Sequence, residues 1–171
     1  ETILSVSVEE QINNLIAAFE KRSDLTVIFT MPNSDPGNNI IRNKISEFVK
    51  KNKKAIVVES LGFQRYISLL SYASFMIGNS SSGLTEAPML GIPTINIGDR
   101  QKGRFQPDTV ISCSYQTTSI VSAIKTAETL NIQKIRPFGN GGASKKIIEK
   151  IIGVNLDKLF KIGTYVNKAV K

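Results

Sequence analysis

Short apolar runs alternate with amphipathic segments along most of this sequence, and this alternation limits the folds open to it. The runs have the length and the β-branched content of buried strands, and they lie at 25–30, 55–58, 75–78 and 93–97. Segments with apolar residues at helical spacing separate them, joined by short connectors. Strand and helix units in this order are typical of α/β proteins. The expected fold class is therefore α/β, with a doubly wound, Rossmann-like parallel sheet.

Three helices carry recognisable boundary signals. A capping box that begins at Ser7 predicts the start of the first helix. The second is predicted over 38–51, where lysines at its end complement the helix dipole. The third is predicted over 117–130, with Thr118 or Ser119 as its N-cap.

A Ser and Gly turn, which we call the elbow, lies between the third predicted strand and a short helix. It consists of Ser80, Ser81, Ser82 and Gly83. Hydroxyls, unpaired backbone N–H groups and the positive end of a helix dipole meet at such a turn, which favours an anion. Gly83 permits close backbone approach, and Ser82 is a candidate helix cap. The pattern predicts a phosphate site, although Ser and Gly turns also precede helices in α/β proteins that bind nothing there.

The residues after the elbow extend this prediction to a nucleotide. Glu86 lies about one helical turn past the phosphate-facing end, at a reach suited to ribose hydroxyls. Pro88 and the GIP turn at 91–93 are expected to cut the helix short. Arg100, Lys102 and Arg104 lie in a loop after the next strand. If the two strands are parallel, this loop leaves the same sheet edge as the elbow and faces the anion.

Four motifs occur in a fixed order along the chain: VIFTMPNSD at 27–35, SLGFQRYISLLSYA at 60–73, GNSSSGLTEAP with GIPTINIGDRQKGR at 78–104, and RPFGNGGASKKI at 136–147. With these motifs, the sequence resembles the carboxy-terminal half of UDP-N-acetylglucosamine 2-epimerases. The resemblance is to the hydrolysing kind, which makes N-acetylmannosamine for sialic-acid-type sugars. It extends from about residue 7 to residue 152.

The resemblance implies a GT-B-type architecture, in which two Rossmann-like domains face each other across a cleft. It assigns the main catalytic carboxylates to the amino-terminal domain. Residues 1–171 would then form a single carboxy-terminal nucleotide-binding domain, without a catalytic residue of its own and inactive alone. The implied reaction eliminates UDP from the sugar nucleotide to leave a glycal, which then adds water with inversion at the second sugar carbon.

The resemblance also implies roles for particular residues of the elbow and its surroundings. It assigns the diphosphate to Ser80 and Ser81, the ribose hydroxyls to Glu86, phosphate charge to Arg100 and uracil to the backbone near Leu61. Ser82 and Gly83 are expected to support this nucleotide site. Lys102 and Arg104 match a basic loop that is tied to feedback inhibition by CMP-sialic acid in animal relatives. A solvated basic loop at a subunit interface remains the alternative for these two residues.

Composition bounds the remaining chemistry. The chain has no histidine, which removes the commonest general base near neutral pH, and its one cysteine, Cys113, cannot form an internal disulfide. We expect no metal, no cofactor and a cytoplasmic location.

The net charge is +8, and the segment 134–171 holds nine Lys and Arg residues against two acids. Mostly aliphatic residues separate these charges, without the regular aromatic interleaving of a single-strand binder, so neither a nucleic acid nor a membrane is the expected partner.

Two other functions fit parts of the pattern. A UDP-sugar glycosyltransferase half also holds a nucleotide with an acid on the ribose, but the loop GDRQKGR argues against it. A non-catalytic regulatory module that binds a nucleotide sugar would explain the lack of histidine. The expected partners are UDP-N-acetylglucosamine or a related UDP-sugar, the amino-terminal half of the same enzyme and, at full length, further copies in a homo-oligomer.

Overall fold

The computed structural model describes residues 6–32 and 37–154. Strands and helices alternate through these residues in the order α1 (Val8–Lys21), β1 (Val27–Thr30), α2 (Asn38–Lys51), β2 (Ala55–Val58), α3 (Gly62–Leu70), β3 (Met76–Gly78), α4 (Ser82–Leu90), β4 (Thr94–Ile97), β5 (Val110–Cys113), α5 (Thr117–Thr129) and α6 (Ala143–Ile152). The α/β class predicted from the sequence is confirmed. The motif at 27–35 lies partly outside the described residues.

The strands pair in parallel, in two groups. β1 pairs with β2, and β4 lies between β3 and β5. The sequence predicted one sheet, whereas hydrogen bonding divides the described strands into a two-stranded and a three-stranded sheet. Side-chain packing joins the two groups, because Leu15, Leu25 and Ile77 contact the apolar clusters of both.

Helices cover both faces of the three-stranded sheet. Ile95 and Ile97 of β4 pack with α5 in one buried cluster, while Thr94 contacts Gly83 of α4. Alternate residues of a strand point to opposite faces, so α5 and α4 lie on opposite sides of β4. α1 packs on α5 and on α2, and α3 packs on α4. This arrangement is doubly wound, as predicted.

The end of α4 agrees with the prediction at Gly91 but not at Pro88. Pro88 does not end α4 but lies within it, fully buried, and the helix continues to Leu90. Gly91 ends it by adopting the left-handed conformation, with φ of 75°. The missing N–H of a proline costs one intrahelical bond, and here the buried ring packs in the core.

The start of α5 also differs from the prediction. Its N-cap is Gln116, which makes no side-chain capping bond. Ser119, predicted as a cap, instead accepts a hydrogen bond from the backbone N–H of Ser114 at 3.3 Å. Strand β5 was not predicted, because its short run Val110–Cys113 includes a serine and lacks a clear alternation.

The chain divides into two compact units at Gly139, within the glycine loop 139–142. The first unit contains all five described strands, and the second contains α6. The apolar residues of α6 are exposed: Ile147, Ile148, Ile151 and Ile152. That residues 1–171 act as one nucleotide-binding domain stays a prediction.

Candidate functional site

The elbow follows β3 directly, at the carboxyl edge of the three-stranded sheet. β3 ends at Gly78, and α4 begins at Ser82 with Ser81 in the N-cap position. The side chains of Ser80 and Ser81 are exposed, so both hydroxyls are accessible to a ligand at the amino-terminal end of α4.

The backbone N–H groups of the elbow are less free than the sequence predicted. The N–H of Ser82 donates to Ser80 Oγ at 3.3 Å, and the N–H of Gly83 donates to the Ser80 carbonyl at 3.2 Å. The N–H of Leu84 donates to the Ser81 carbonyl at 2.9 Å. Such tight turns at a helix start use donors that would otherwise be orphaned. The hydroxyls of Ser80 and Ser81, together with the helix dipole, therefore remain the main attraction for an anion.

Gly83 has a packing role that the sequence did not reveal. A Cβ atom at this position would lie 2.4 Å from Thr94 Cγ2, inside van der Waals contact. The Thr94 hydroxyl also donates to the Gly83 carbonyl at 2.9 Å. The close approach that Gly83 permits is therefore between α4 and β4.

Ser82 is bonded to a neighbouring helix and does not cap α4 as predicted. Its hydroxyl shares a hydrogen bond of 2.5 Å with the Tyr66 hydroxyl of α3. Tyr66 also donates to Met76 Sδ at 3.6 Å. Burial raises the pKa of Tyr66, the bond to Ser82 lowers it, and the charge of Glu86 raises it further. Tyr66 packs against the apolar cluster that contains Leu70 and Ala87, and it also holds Ser82 of the elbow.

Glu86 lies half-buried in α4, one turn from Ser82 and near Tyr66. Its carboxylate accepts a hydrogen bond from the Thr85 hydroxyl, which also lies 3.1 Å from the Ser81 carbonyl. The carboxylate is thus held beside the elbow, at the distance of one helical turn that the sequence predicted.

The basic loop after β4 is tied directly to the elbow. β3 and β4 are parallel, with Gly78 opposite Asn96, so both loops leave the same edge as predicted. Gln101 makes the connection: the residue is 3% exposed, and its Nε2 donates to the Asn79 carbonyl at 2.6 Å. Sequence reasoning missed Gln101, because no pattern distinguishes an uncharged residue within a charged loop. Arg100 and Lys102 are exposed on this loop.

Two buried oxygens lie in the same β4 and loop segment. Within the described residues, Asn96 Oδ1 and Gln101 Oε1 have no hydrogen-bond partner. Both residues are nearly inaccessible, so the expected partner of each oxygen is an ordered water.

Leu61 lies in the loop before α3, and α3 connects this loop to the elbow by the bond between Tyr66 and Ser82. Leu61 is the N-cap of α3 and precedes Tyr66 by five residues, about 7.5 Å along a helix axis. Since Tyr66 contacts Ser82, the start of α3 lies on the elbow side of the sheet. Glu59, just ahead, is held by Arg42 at 2.8 Å.

A cavity of about 310 Å³ opens beside the first turn of α4, on a different face of the helix from Ser82 and Glu86. We call it the aromatic cavity; its lining is Ser81, Leu84, Thr85, Arg104, Phe105 and Phe138. The rings of Phe105 and Phe138 meet edge to face, with centroids 6.3 Å apart. The structure thus places Arg104, but not Lys102, among the residues that line this cavity.

A second cavity and the cysteine lie apart from the elbow and the basic loop. A larger cavity of about 460 Å³ is lined by the second halves of α1 and α2, which lead to the opposite edge of the sheet. Burial raises the pKa of the Cys113 thiol to about 11, so it is not a thiolate at neutral pH. The described part of the chain contains no cluster of His, Cys, Asp or Glu suited to a metal ion. None of its helices is long and apolar enough to span a membrane.

Known proteins resemble this chain in both sequence and fold. The family model of UDP-N-acetylglucosamine 2-epimerase matches residues 1–152. Polysialic acid biosynthesis protein P7 of Escherichia coli is 39% identical over 131 residues, which cover 75% of this chain and 33% of the relative. GDP/UDP-N,N'-diacetylbacillosamine 2-epimerase (hydrolyzing) of Campylobacter jejuni is 39% identical over 106 residues, which cover 61% of this chain and 28% of the relative.

A solved structure supports the fold. The UDP-GlcNAc 2-epimerase of Methanocaldococcus jannaschii, crystallised with UDP-GlcNAc and UDP, superposes with a TM-score of 0.68 at 21% identity. The match covers 84% of this chain and 41% of the solved one. The chain spans about a third of the length of the curated relatives that it matches.

Proposed function

Because the chain belongs to the UDP-N-acetylglucosamine 2-epimerase family, we propose that it is the UDP-binding half of a hydrolysing UDP-N-acetylglucosamine 2-epimerase. The observation that carries this proposal is the meeting of three groups at one sheet edge. The exposed hydroxyls of Ser80 and Ser81, the carboxylate of Glu86 and the Gln101-tethered basic loop all lie around the start of α4.

In this proposal the elbow holds the diphosphate of the substrate. The hydroxyls of Ser80 and Ser81 donate to phosphate oxygens, and the amino-terminal end of α4 adds its dipole. Arg100 contributes a positive charge from the loop that Gln101 anchors. A carboxylate accepts hydrogen bonds from neighbouring hydroxyls, so Glu86 binds the ribose, while the backbone near Leu61 binds uracil.

The same groups would act on the reaction through its leaving group. When the bond between the sugar and UDP breaks, negative charge develops on the diphosphate. Donors already aimed at that charge lower the barrier, and one such donor is typically worth about 3 kcal/mol. The carboxylates that move protons would belong to the amino-terminal half. The overall reaction consumes water and releases N-acetylmannosamine and UDP.

The wider assignments rest on the same family membership. We propose that the complete enzyme includes an amino-terminal half that closes over the elbow, that it assembles as a homo-oligomer and that it acts in the cytoplasm without a metal or other cofactor. Its substrate is UDP-N-acetylglucosamine or a related UDP-sugar. The names of the Escherichia coli and Campylobacter jejuni relatives, which refer to polysialic acid and to an acetylated sugar, support a role in making sialic-acid-type sugars.

Calorimetric titration of the chain with UDP, UMP and CMP tests the proposal. We expect UDP to bind most tightly, since only UDP has both the diphosphate and the uracil. Glu86→Ala and Arg100→Ala should each weaken UDP binding by about tenfold or more, as expected for a lost charge-assisted hydrogen bond. Arg65→Ala is the matched control, because Arg65 is an exposed arginine of α3.

A folded chain that binds UDP equally well with and without these two side chains would contradict the assigned site. A chain that binds no UDP would contradict the claim that this half holds the nucleotide by itself. Equal affinity for CMP and UMP would contradict recognition of uracil.

A further inference from the structure

The first turn of α4 presents two different surfaces. Ser82 and Glu86, four residues apart, lie on one side with Tyr66. Ser81 and Thr85, also four residues apart, line the aromatic cavity on the adjacent side. Residues four apart share a helix face, and consecutive residues differ by about 100°. A diphosphate at the elbow, as proposed above, therefore has the ribose-binding side on one flank and the aromatic cavity on the other.

The lining of the aromatic cavity combines apolar rings with hydrogen-bonding groups. Phe105 and Phe138 are 62% and 63% exposed, although rings of this size are usually buried. Beside them lie the Arg104 guanidinium, with five N–H donors, and the Thr85 hydroxyl. Thr85 already directs its proton towards Glu86 or the Ser81 carbonyl, so its oxygen is left as an acceptor.

Such a lining suits a ligand portion that is apolar at one end and carries both an acceptor and an N–H. A phosphate group alone would leave the two rings exposed. The cavity volume of about 310 Å³ is at the low end for small-molecule pockets, so it suits one portion of a nucleotide sugar and not the whole. The ribose and uracil are assigned to the other flank, which leaves the sugar.

We propose that the aromatic cavity receives the N-acylamino group of the substrate's sugar. The acyl methyl packs against the rings of Phe105 and Phe138. The acyl carbonyl accepts a hydrogen bond from Arg104, and the amide N–H donates to the Thr85 hydroxyl. This assignment rests on the proposed function, and it makes Arg104 a residue that determines substrate specificity.

Two ligands that differ mainly at this group provide the test. UDP-N-acetylglucosamine has the acetamido group, whereas UDP-glucose has a hydroxyl in its place. Titrated into the chain, UDP-N-acetylglucosamine should bind about fivefold more tightly than UDP-glucose, the gain expected from burying one methyl group with its hydrogen bonds. Phe138→Ala and Arg104→Met should each reduce this ratio to within about twofold of one. UDP itself should bind both variants within about twofold of the parent affinity.

The control variant is Tyr72→Ala, which removes another exposed aromatic ring, 91% accessible and just beyond α3. It should leave the ratio unchanged. Phe105→Leu, which keeps an apolar side chain, provides a milder variant of the cavity should Phe138→Ala fail to fold, and it should also reduce the ratio.

The results separate this inference from the proposed function. Equal binding of the two sugar nucleotides by the parent, or a ratio that survives the cavity variants, overturns the acyl assignment while UDP binding stands. Absence of UDP binding in the parent overturns the proposed function, and the acyl assignment with it.

Discussion

A methyl group at position 83 has no room in this fold. The packing of α4 on β4 depends on Gly83, whose carbonyl also accepts a hydrogen bond from Thr94. The backbone of Gly83 is not in the left-handed region, so the constraint is contact and not conformation. Because α4 begins at the elbow, the same contact sets the position of Ser80 and Ser81.

We therefore expect Gly83→Ala to lower the free energy of unfolding by about 1 to 3 kcal/mol, the usual cost of an overpacked contact. Denaturation with urea measures this change. The double variant Gly83→Ala, Thr94→Ser removes the clashing methyl group and keeps the hydroxyl, so it should recover most of the loss. A neutral Gly83→Ala, or a double variant as unstable as the two single changes added together, would show that the helix is free to move away.

The elbow depends on neighbouring residues in a similar way. Tyr66 of α3 bonds to Ser82, and Gln101 of the basic loop bonds to the Asn79 carbonyl. The hydroxyls proposed to bind phosphate are thus flanked by two residues that fix the turn from either side. A binding site held by packed neighbours loses less conformational entropy when the ligand binds.

At the scale of elements, α1 shows how a local signal sets a boundary. Ser7 is its N-cap, and the Ser7 hydroxyl accepts a hydrogen bond from the Glu10 N–H at 3.1 Å, as the capping box predicted. Glu9 and Glu10 lie in the first turn, where they complement the dipole. The buried face of α1 then packs against α2 and α5.

Ser7→Ala should lower the free energy of unfolding by about 1 kcal/mol, because the first turn of α1 loses its side-chain cap. Chemical denaturation followed by circular dichroism gives this value. Ser7→Asp is the matched control, since an aspartate caps as well as a serine and should retain the parent stability. Equal losses from both substitutions would mean that the missing capping acceptor is not the cause of the lost stability.

Across the first compact unit, Arg22 connects elements that are distant in sequence. It follows α1, and its guanidinium bonds to Asp24 at 2.6 Å and to Glu128 of α5 at 2.6 Å. The hydrogen bond from Arg22 lowers the pKa of Asp24. A lowered pKa in the folded state stabilises the protein above the ordinary carboxyl pKa, and this stabilisation is lost as the pH falls through the folded value.

Arg22→Met should therefore lower the thermal midpoint at pH 7, and its difference from the parent should narrow below about pH 4, where aspartate protonates. Thermal unfolding of both proteins between pH 3 and pH 7 measures this trend. Arg65→Met, at an exposed position of α3, controls for the loss of one positive charge. A difference that stays constant with pH would indicate that Arg22 acts by packing alone.

The sequence by itself determined the alternation of strands and helices, because apolar periodicity and capping are local properties. The bounds of α2 at Asn38–Lys51 and of β2 at Ala55–Val58 are those predicted. It also determined which residues follow the carboxyl ends of β3 and β4, and its motifs identified the family correctly.

Only the tertiary structure decided how those residues are held. The bond between Tyr66 and Ser82 joins positions 16 apart, and that between Gln101 and Asn79 joins positions 22 apart. No local pattern encodes such pairs, because each forms only when separate elements pack. Likewise, Gly83 reads as a loop residue in sequence, and its contact with Thr94 appears only when α4 lies on β4. Packing also retained Pro88 inside α4 and brought Arg104, Phe105 and Phe138 together around one cavity.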